Sequence, residues 1–577
     1  MRETLTAAIT AVIESAMADG RVRLEAVPQV SVERPRDPSH GDWATNIALV
    51  AAKPAGMAPR DLAAIVAAGL VERLGADAEA VEIAGPGFIN IRLARGVLAD
   101  VVGRVRSERE RYGAGPRTGR RVQVEFVSAN PVGPMHVGHG RWAALGDSIA
   151  RILAHAGDEV QREFYVNDAG VQMDIFAASV SARYLELTGR PSEFPEDGYR
   201  GAYITDIARE ILDAEGERWA DATAADREAH FKEQAYAAVL GHLKRVLHGM
   251  GVDFDVWFSE RTLHAPGDAG AATAIERGID RLRSAGHVFE REGALWFRST
   301  GFGDDKDRVL TKADGTYTYF AADVAYHADK YDRGFDLVID IWGADHHGYV
   351  KRMESAVAAL GHPGKLEVII GQMVNLFRNG EVVRMSKRTG EMVTFEDLLD
   401  EVGADAARYF FLRRSTDQPL DFDIGLAKQR SSDNPVFYVQ YAHARICSIL
   451  RKAAGAETTD ESVDVDAVAA RITADPAALA LLGAEPGTLA GDAELGLLRK
   501  LAEFPEVVSV AARQRTPHKI TSYAEDLAAA FHQFYTHCQV VVDDAQLRNA
   551  RLALADASRI VLAGALGLLG VTAPQRM

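Results

Sequence analysis

The sequence predicts an α/β protein. Its core is a doubly wound parallel sheet carrying an insertion, with a small α+β domain before it and an all-α helical bundle after it. Three observations predict this. A buried-type strand at 122–127 runs through a Pro/Gly loop into a helix that follows His136-Val-Gly-His139. A second buried-type strand, 337–342, also ends in polar residues. From Ala404 onward, apolar residues recur at helical spacing almost to the end.

The chain has 577 residues, enough for about three to four domains. Apolar content of 47% and charged content of 25% are globular values. No apolar run is long enough to span a bilayer, and the N-terminus lacks a signal-peptide pattern. Cys447 and Cys538 are the two cysteines, which predicts a reducing cytoplasmic setting and no disulfide framework. Both sit on apolar helical stripes, as core residues do. A net charge of −17 excludes a generic nucleic-acid binder but allows local basic faces.

The first domain is read as 1–105. Apolar positions 5, 8, 9, 12, 13 and 16 predict an opening amphipathic helix. A loop at 34–42 precedes helices over Trp43–Lys53 and Pro59–Leu74, the second with Pro near its start. Strands 81–84 and 88–93 flank the Gly85-Pro86-Gly87 turn. Residues 104–121 then hold seven arginines against two glutamates. That segment reads either as a solvated face and linker or as an RNA-backbone contact.

The core is read as 106–400, with a helical insertion at about 175–300. Asn130-Pro131-Val132-Gly133-Pro134 breaks both strand and helix, and apolar spacing resumes from Gly140. His136 and His139 therefore flank Gly138 at a strand-to-helix turn, where glycine admits a close ligand and the helix N-terminus favours phosphate. Taken alone, the two histidines also fit a metal pair or plain loop residues. No His/Cys cluster lies nearby in sequence, which weighs against a metal. Strand 160–166 ends in Asn167-Asp168-Ala169-Gly170, at a ligand-facing position. Trp257 and Trp296 read as packing residues.

Tyr319 and Asp323 open another helix, four residues apart and able to share a face. Strand 337–342 ends in Gly343-Ala-Asp345-His346-His347-Gly348. Adjacent histidines diverge in direction, so this pair is a poor metal site. Runs 373–377 and 381–385 flank Arg378-Asn379-Gly380, a hairpin signal. The hairpin delivers Met385-Ser386-Lys387-Arg388, a loop with two cations. Thr394 and Asp397 fit a capping box.

The last domain is read as all-helical over 401–577. Helix 436–450 carries Tyr438, Tyr441, His443 and Arg445; 454–494 is acidic and reads as loop or weak helix. The stripe Ile520, Tyr523, Leu527, Phe531, Phe534, Tyr535, Cys538 reads as core, and 547–569 as the last helix.

His136-Val-Gly-His139 followed by Met385-Ser386-Lys387-Arg388 resembles the paired signatures of class I aminoacyl-tRNA synthetases. Arg384 stands for the usual first lysine of the second signature and Arg388 for its last serine; the second lysine is present as Lys387. Glu125-Phe-Val-Ser128-Ala-Asn130-Pro, Tyr165-Val-Asn-Asp-Ala-Gly, Trp342-Gly-Ala-Asp-His-His-Gly-Tyr349, Asn434–Arg445, His40–Asn46 and Gly87–Asn90 together resemble the arginyl-tRNA synthetase family, bacterial type, across nearly the whole chain. The resemblance implies a tRNA-contacting N-terminal domain, a Rossmann-type catalytic domain and a helical anticodon-binding domain. Ala404–Arg408 resembles the opening of the last, with an alanine for its usual leucine.

The resemblance also implies the chemistry: ATP-dependent activation of L-arginine, Mg²⁺ accompanying ATP, and transfer to the terminal ribose of tRNA(Arg) by a monomer. It assigns ATP to His136, Gly138, His139, Met385, Ser386 and Lys387, with His136, His139, Lys387 and Arg388 catalytic. It assigns arginine to Glu125, Ser128, Asn130, His139, Tyr319, Asp323 and His347. Some members carry glutamine at the position of His347. Tyr441, His443, Arg445 and Met577 are candidates for tRNA contact. No protein-held metal is expected. A guanidinium keeps its charge and presents forked donors, so a selective pocket for it needs carboxylates, here Asp323 and Glu125. The competing readings are a synthetase for another amino acid, a small-molecule nucleotidyltransferase, and a silent RNA-binding paralogue. The helical C-terminal third argues against the second, and intact His136, His139 and Lys387 against the third.

Overall fold

The computed structural model describes residues 1–577 apart from 36, 268–269, 379, 384–392, 461 and 474. Met385, Ser386, Lys387 and Arg388 thus lie outside the described residues.

The opening helix, Arg2–Ala18, buries Leu5, Ala8, Ile9, Val12, Ile13 and Ala16, as their spacing predicts. A four-stranded antiparallel sheet follows, in the order Val32–Glu33, Trp43–Thr45, Phe88–Leu93, Ala78–Ala84. The expected helix over Trp43–Lys53 is corrected at its start. Trp43–Thr45 is a strand paired with Ile89–Ile91, and the helix runs Ile47–Ala55. Three alternating residues are too few to announce a strand; the switch comes where the Ile47 N–H donates to Thr45 Oγ1 (3.2 Å).

The central sheet has five parallel strands in the order Leu366–Gly371, Leu337–Gly343, Arg121–Glu125, Glu159–Val166, Val256–Ser259. The first strand in sequence sits in the middle, and the winding reverses between it and Leu337–Gly343. In open α/β sheets, ligands bind at the strand ends beside such a reversal. Two expectations change. The opening strand stops at Glu125 rather than Val127. The stretch read as helical insertion contains, after helices Val171–Leu187, Ala202–Glu215 and Ala224–Gly249, the fifth core strand. It also contributes Val288–Arg291 and Ala294–Phe297 to a small antiparallel sheet completed by Arg308–Thr311. Four-residue strands are too short for a period to register. Trp257 packs as expected, its ring 4.4 Å from that of Phe164.

The hairpin forms between Val374–Arg378 and Glu381–Val382. Leu420–Asp423 then adds a parallel strand to it, a correction to the all-helical reading from Ala404. Its alternating burial spans four residues inside helical surroundings. The remaining C-terminal elements are helical, the longest being Pro435–Ala453, Leu489–Gln514, His518–His537 and Ala545–Leu568. Ile520, Tyr523, Leu527, Phe531, Phe534 and Cys538 are buried, as is Cys447; Tyr535 is the member of that stripe left exposed.

The arginine-rich segment resolves toward packing rather than a free basic face. Arg106 pairs with Asp556, Arg109 with Asp466 and Arg120 with Asp158 (3.1, 2.7 and 2.5 Å). Arg408, buried at the start of the helical region, pairs with Asp147 of the core helix Val137–His155 and donates to the Leu569 carbonyl (2.9 Å). Ser148 Oγ donates to the Leu568 carbonyl (2.9 Å).

Candidate active site

The site is built where Arg121–Glu125 ends. Val127 and Ser128 carry φ values of 69° and 40°, a left-handed kink costing about 1–3 kcal/mol per residue. For a β-branched valine this is a marked outlier. The kink turns Ser128 back so that its Oγ donates to Glu125 Oε1 (2.9 Å) and accepts from the Tyr165 N–H (3.1 Å). Asn130, on the exposed loop beyond, donates to Gln172 Oε1 (2.9 Å).

His136 is the N-cap of the helix Val137–His155. Its N–H donates to His139 Nδ1 (3.2 Å), and the two rings stack with centroids 3.7 Å apart. The pair forms a flat imidazole face at a helix N-terminus, where peptide dipoles favour anions. A Cβ on Gly138 would stand 2.9 Å from the His136 ring, so this glycine makes room for that ring.

The second signature's flanks reach the same place. His136 pairs with Thr394 in an isolated antiparallel bridge, and the Phe395 N–H donates to the Met135 carbonyl (2.9 Å). Thr394 and Asp397 form the expected capping box (2.8 and 3.1 Å). Fully buried Arg141 donates to the carbonyls of Gln372, Gln418 and Ser415, each at 2.9 Å. One guanidinium thus ties the histidine helix to the root of the hairpin. Burial pushes Arg141 down to about 10, with the Asp417 charge opposing.

Three carboxylates form a row across the sheet. Asp340 and Glu163 are the register partners of Glu125 on either side. Helix Tyr319–Asp332 and the residue after it lay cations along that row. Lys330 Nζ donates to Glu125 Oε2 (2.5 Å) and Asp340 Oδ1 (2.9 Å), while Arg333 and the Tyr326 hydroxyl engage Glu163 (2.5 and 2.6 Å). His327 meets acceptors at both ring nitrogens: Asp340 Oδ2 (2.9 Å) and the Asp323 carbonyl (2.8 Å). Burial pushes Glu125 up, with Lys330 opposing. Burial also acts to raise Asp340, but Lys330 and His327 outweigh it and hold it at about 2. Lys330 itself is raised, because Asp340 and Glu125 outweigh its burial.

Among the described residues, Asp323 has no cation in hydrogen-bond contact with its carboxyl. It accepts from the Tyr349 hydroxyl (2.7 Å), and burial pushes its carboxyl up. Buried Glu260 is also pushed up by burial, with the Asp323 charge adding to the shift. Tyr165 is raised by burial and by the nearby charges of Glu260, Asp323 and Glu125. Glu260 also faces His264, 3.5 Å away. Glu260, Lys330, Asp340 and His327 escaped sequence reasoning. Glu260 follows a four-residue strand, and the other three lie inside otherwise apolar elements.

The remaining candidates are dispersed. Tyr319 stands in the first turn of its helix, 67% exposed. His347 is exposed on a 3-10 turn, and His346 pairs with Asp345 (3.5 Å). Tyr441 is 36% exposed and accepts from Arg445 (2.8 Å), whose guanidinium also lies over Tyr535 (4.6 Å). His443 does not share that face. It is 3% exposed, and its Nδ1 binds the Pro574 carbonyl (2.8 Å), tethering the C-terminal tail that ends in half-exposed Met577. Among the described residues, no group of three or more His, Cys, Asp or Glu side chains could hold a metal ion, and no helix is long and apolar enough to cross a membrane.

Comparison with known proteins covers the whole chain. Residues 102–418 match the family model "tRNA synthetases class I (R), catalytic domain". Residues 3–93 match "Arginyl tRNA synthetase N terminal domain", and 439–577 match "DALR anticodon binding domain". The chain is 48% identical to the arginine–tRNA ligase of Heliobacterium modesticaldum and 47% identical to that of Desulforamulus reducens, covering 100% of this chain and 99% of each relative. The arginyl-tRNA synthetase structure of Thermus thermophilus shares the fold, with a TM-score of 0.72 at 23% identity over 100% of both chains.

Proposed function

This chain belongs to the arginyl-tRNA synthetase family and is an arginine–tRNA ligase; we propose how its own residues carry the reaction. Arginine, ATP and tRNA are its substrates. The arginine carboxylate attacks the α-phosphorus of ATP, giving arginyl-adenylate and pyrophosphate. That carboxylate is already ionised, so no general base is needed, and catalysis rests on positioning and on stabilising phosphate charge.

Asp323, with Glu260 beside it, receives the guanidinium. Glu125, braced by Ser128, receives the α-amino group. His136 and His139 hold ATP at the helix N-terminus, with Gly138 keeping their rings together. Met385, Ser386, Lys387 and Arg388 bind ATP, and the two cations neutralise the leaving pyrophosphate. Asn130, Tyr319 and His347 rim the arginine site. Mg²⁺ would travel with the ATP phosphates; among the described residues no set of three or more His, Cys, Asp or Glu stands ready to hold it. The tRNA 2′-hydroxyl then attacks the activated carbonyl, and activation itself requires bound tRNA.

For the rest of the molecule, 1–105 contacts the corner of tRNA and 401–577 the anticodon. Tyr441, Arg445 and Met577 form the RNA-facing set, with His443 supporting the tail. The protein works as a cytoplasmic monomer. What carries the reading is the carboxylate Glu125 at the end of the central strand beside the winding reversal, with Asp323 on the helix whose Lys330 pairs with Glu125. ATP–pyrophosphate exchange tests it: arginine alone among amino acids should support exchange, and only with tRNA present. Exchange driven by another amino acid would replace the substrate assignment.

A further inference from the structure

The proposed reaction leaves the buried cation Lys330 unused. Lys330 is wholly buried, and its Nζ lies between Glu125 and Asp340, which face each other directly on adjacent strands. Like charges so paired repel, and burial raises the cost of each. Glu125 has two oxygens with separate partners: Ser128 Oγ on Oε1 and Lys330 Nζ on Oε2. With Lys330 absent, Asp340 would keep only its His327 partner, its charge would press on Glu125, and the carboxyl nearer the pocket would take a proton.

We propose that Lys330 is a positioning and specificity residue: by holding Glu125 ionised and in one orientation, it makes the site demand a substrate with a cationic α-amino group. This rests on the assignment of Glu125 to that amino group. Lys330 itself never touches substrate. Its neighbours fix its own place. Asp340 takes its second bond from His327, and the His327 ring continues to the Asp323 backbone, so the amino-group end and the guanidinium end of the pocket share one buried frame.

The test compares two ligands that differ only at the α-carbon: L-arginine, and 5-guanidinopentanoate, which lacks the amino group. Full-length wild type, Lys330→Met and the charge-neutral double variant Lys330→Met/Asp340→Asn are assayed with ATP and tRNA. In Lys330→Met the KM for arginine should rise about 10- to 100-fold, the range set by one charge-assisted hydrogen bond. The inhibition constant of 5-guanidinopentanoate should stay within about threefold, since each such bond acts locally. The double variant, free of the repelling Asp340, should fold as wild type does and recover part of the arginine affinity. Equal weakening of both ligands, unchanged arginine affinity, or loss of the fold in both variants overturns the proposal and makes Lys330 a purely structural residue. A wild type that arginine fails to saturate would instead overturn the substrate assignment.

Discussion

The backbone of His136 pairs with that of Thr394, across most of the length of the catalytic core. Next to this bridge, a Cβ on Gly140 would stand 2.3 Å from the Phe395 ring, so the closeness depends on a glycine. Gly140→Ala should push Phe395 and the helix it opens away from the histidine helix. A loss of about 1–3 kcal/mol in stability is expected, together with a fall in adenylate formation. Chemical denaturation and pyrophosphate exchange would show both; a variant active and stable at wild-type levels would mean that the contact positions nothing.

Lys387→Ala should cut pyrophosphate exchange by about 10²–10³, the range for losing one transition-state donor. Arginine binding, measured by calorimetry, should be unchanged. Exchange at a near wild-type rate would remove Lys387 from the mechanism.

Asp323, Glu125 and Glu260 are all pushed above the ordinary carboxylate range, first of all by burial. A carboxyl raised on folding binds protons better in the native state, so its contribution to stability declines as pH rises through the window from the ordinary value to the raised one. Bound arginine, itself always cationic, reverses that decline. The increase in melting temperature caused by arginine should therefore grow from acid toward neutral pH. A thermal-shift series with and without arginine checks this; a pH-independent increment would show that these carboxyls do not meet the ligand.

His443→Ala should release the tail around Pro574 and weaken tRNA binding several-fold, about the effect of one buried hydrogen bond. The KM for arginine should hold. Filter binding with tRNA(Arg) and steady-state kinetics separate the two; an unchanged tRNA affinity would show that the tail plays no part.

The sheet, the histidine turn, the hairpin and the capping box were legible because each spans enough residues for a period or a turn signal to declare itself. Val256–Ser259 and Leu420–Asp423 were not, because four residues between helices carry no usable period. Composition could not show that within the arginine-rich segment Arg106 and Arg109 meet acids that lie hundreds of residues away in sequence. At the site, resemblance supplied Glu125, Ser128 and Asp323. The supporting Lys330–Asp340–His327 frame stayed hidden, since a buried lysine looks in sequence like any surface lysine on a helix.

Arg408 holds the Leu569 carbonyl, and Ser148, on the helix that starts at the histidines, holds the Leu568 carbonyl. The active-site helix therefore draws a buttress from a segment 420 residues downstream of Ser148. Loss of Leu568 and Leu569 would remove more than an RNA-reading element: it would strip the support from beneath the nucleotide site.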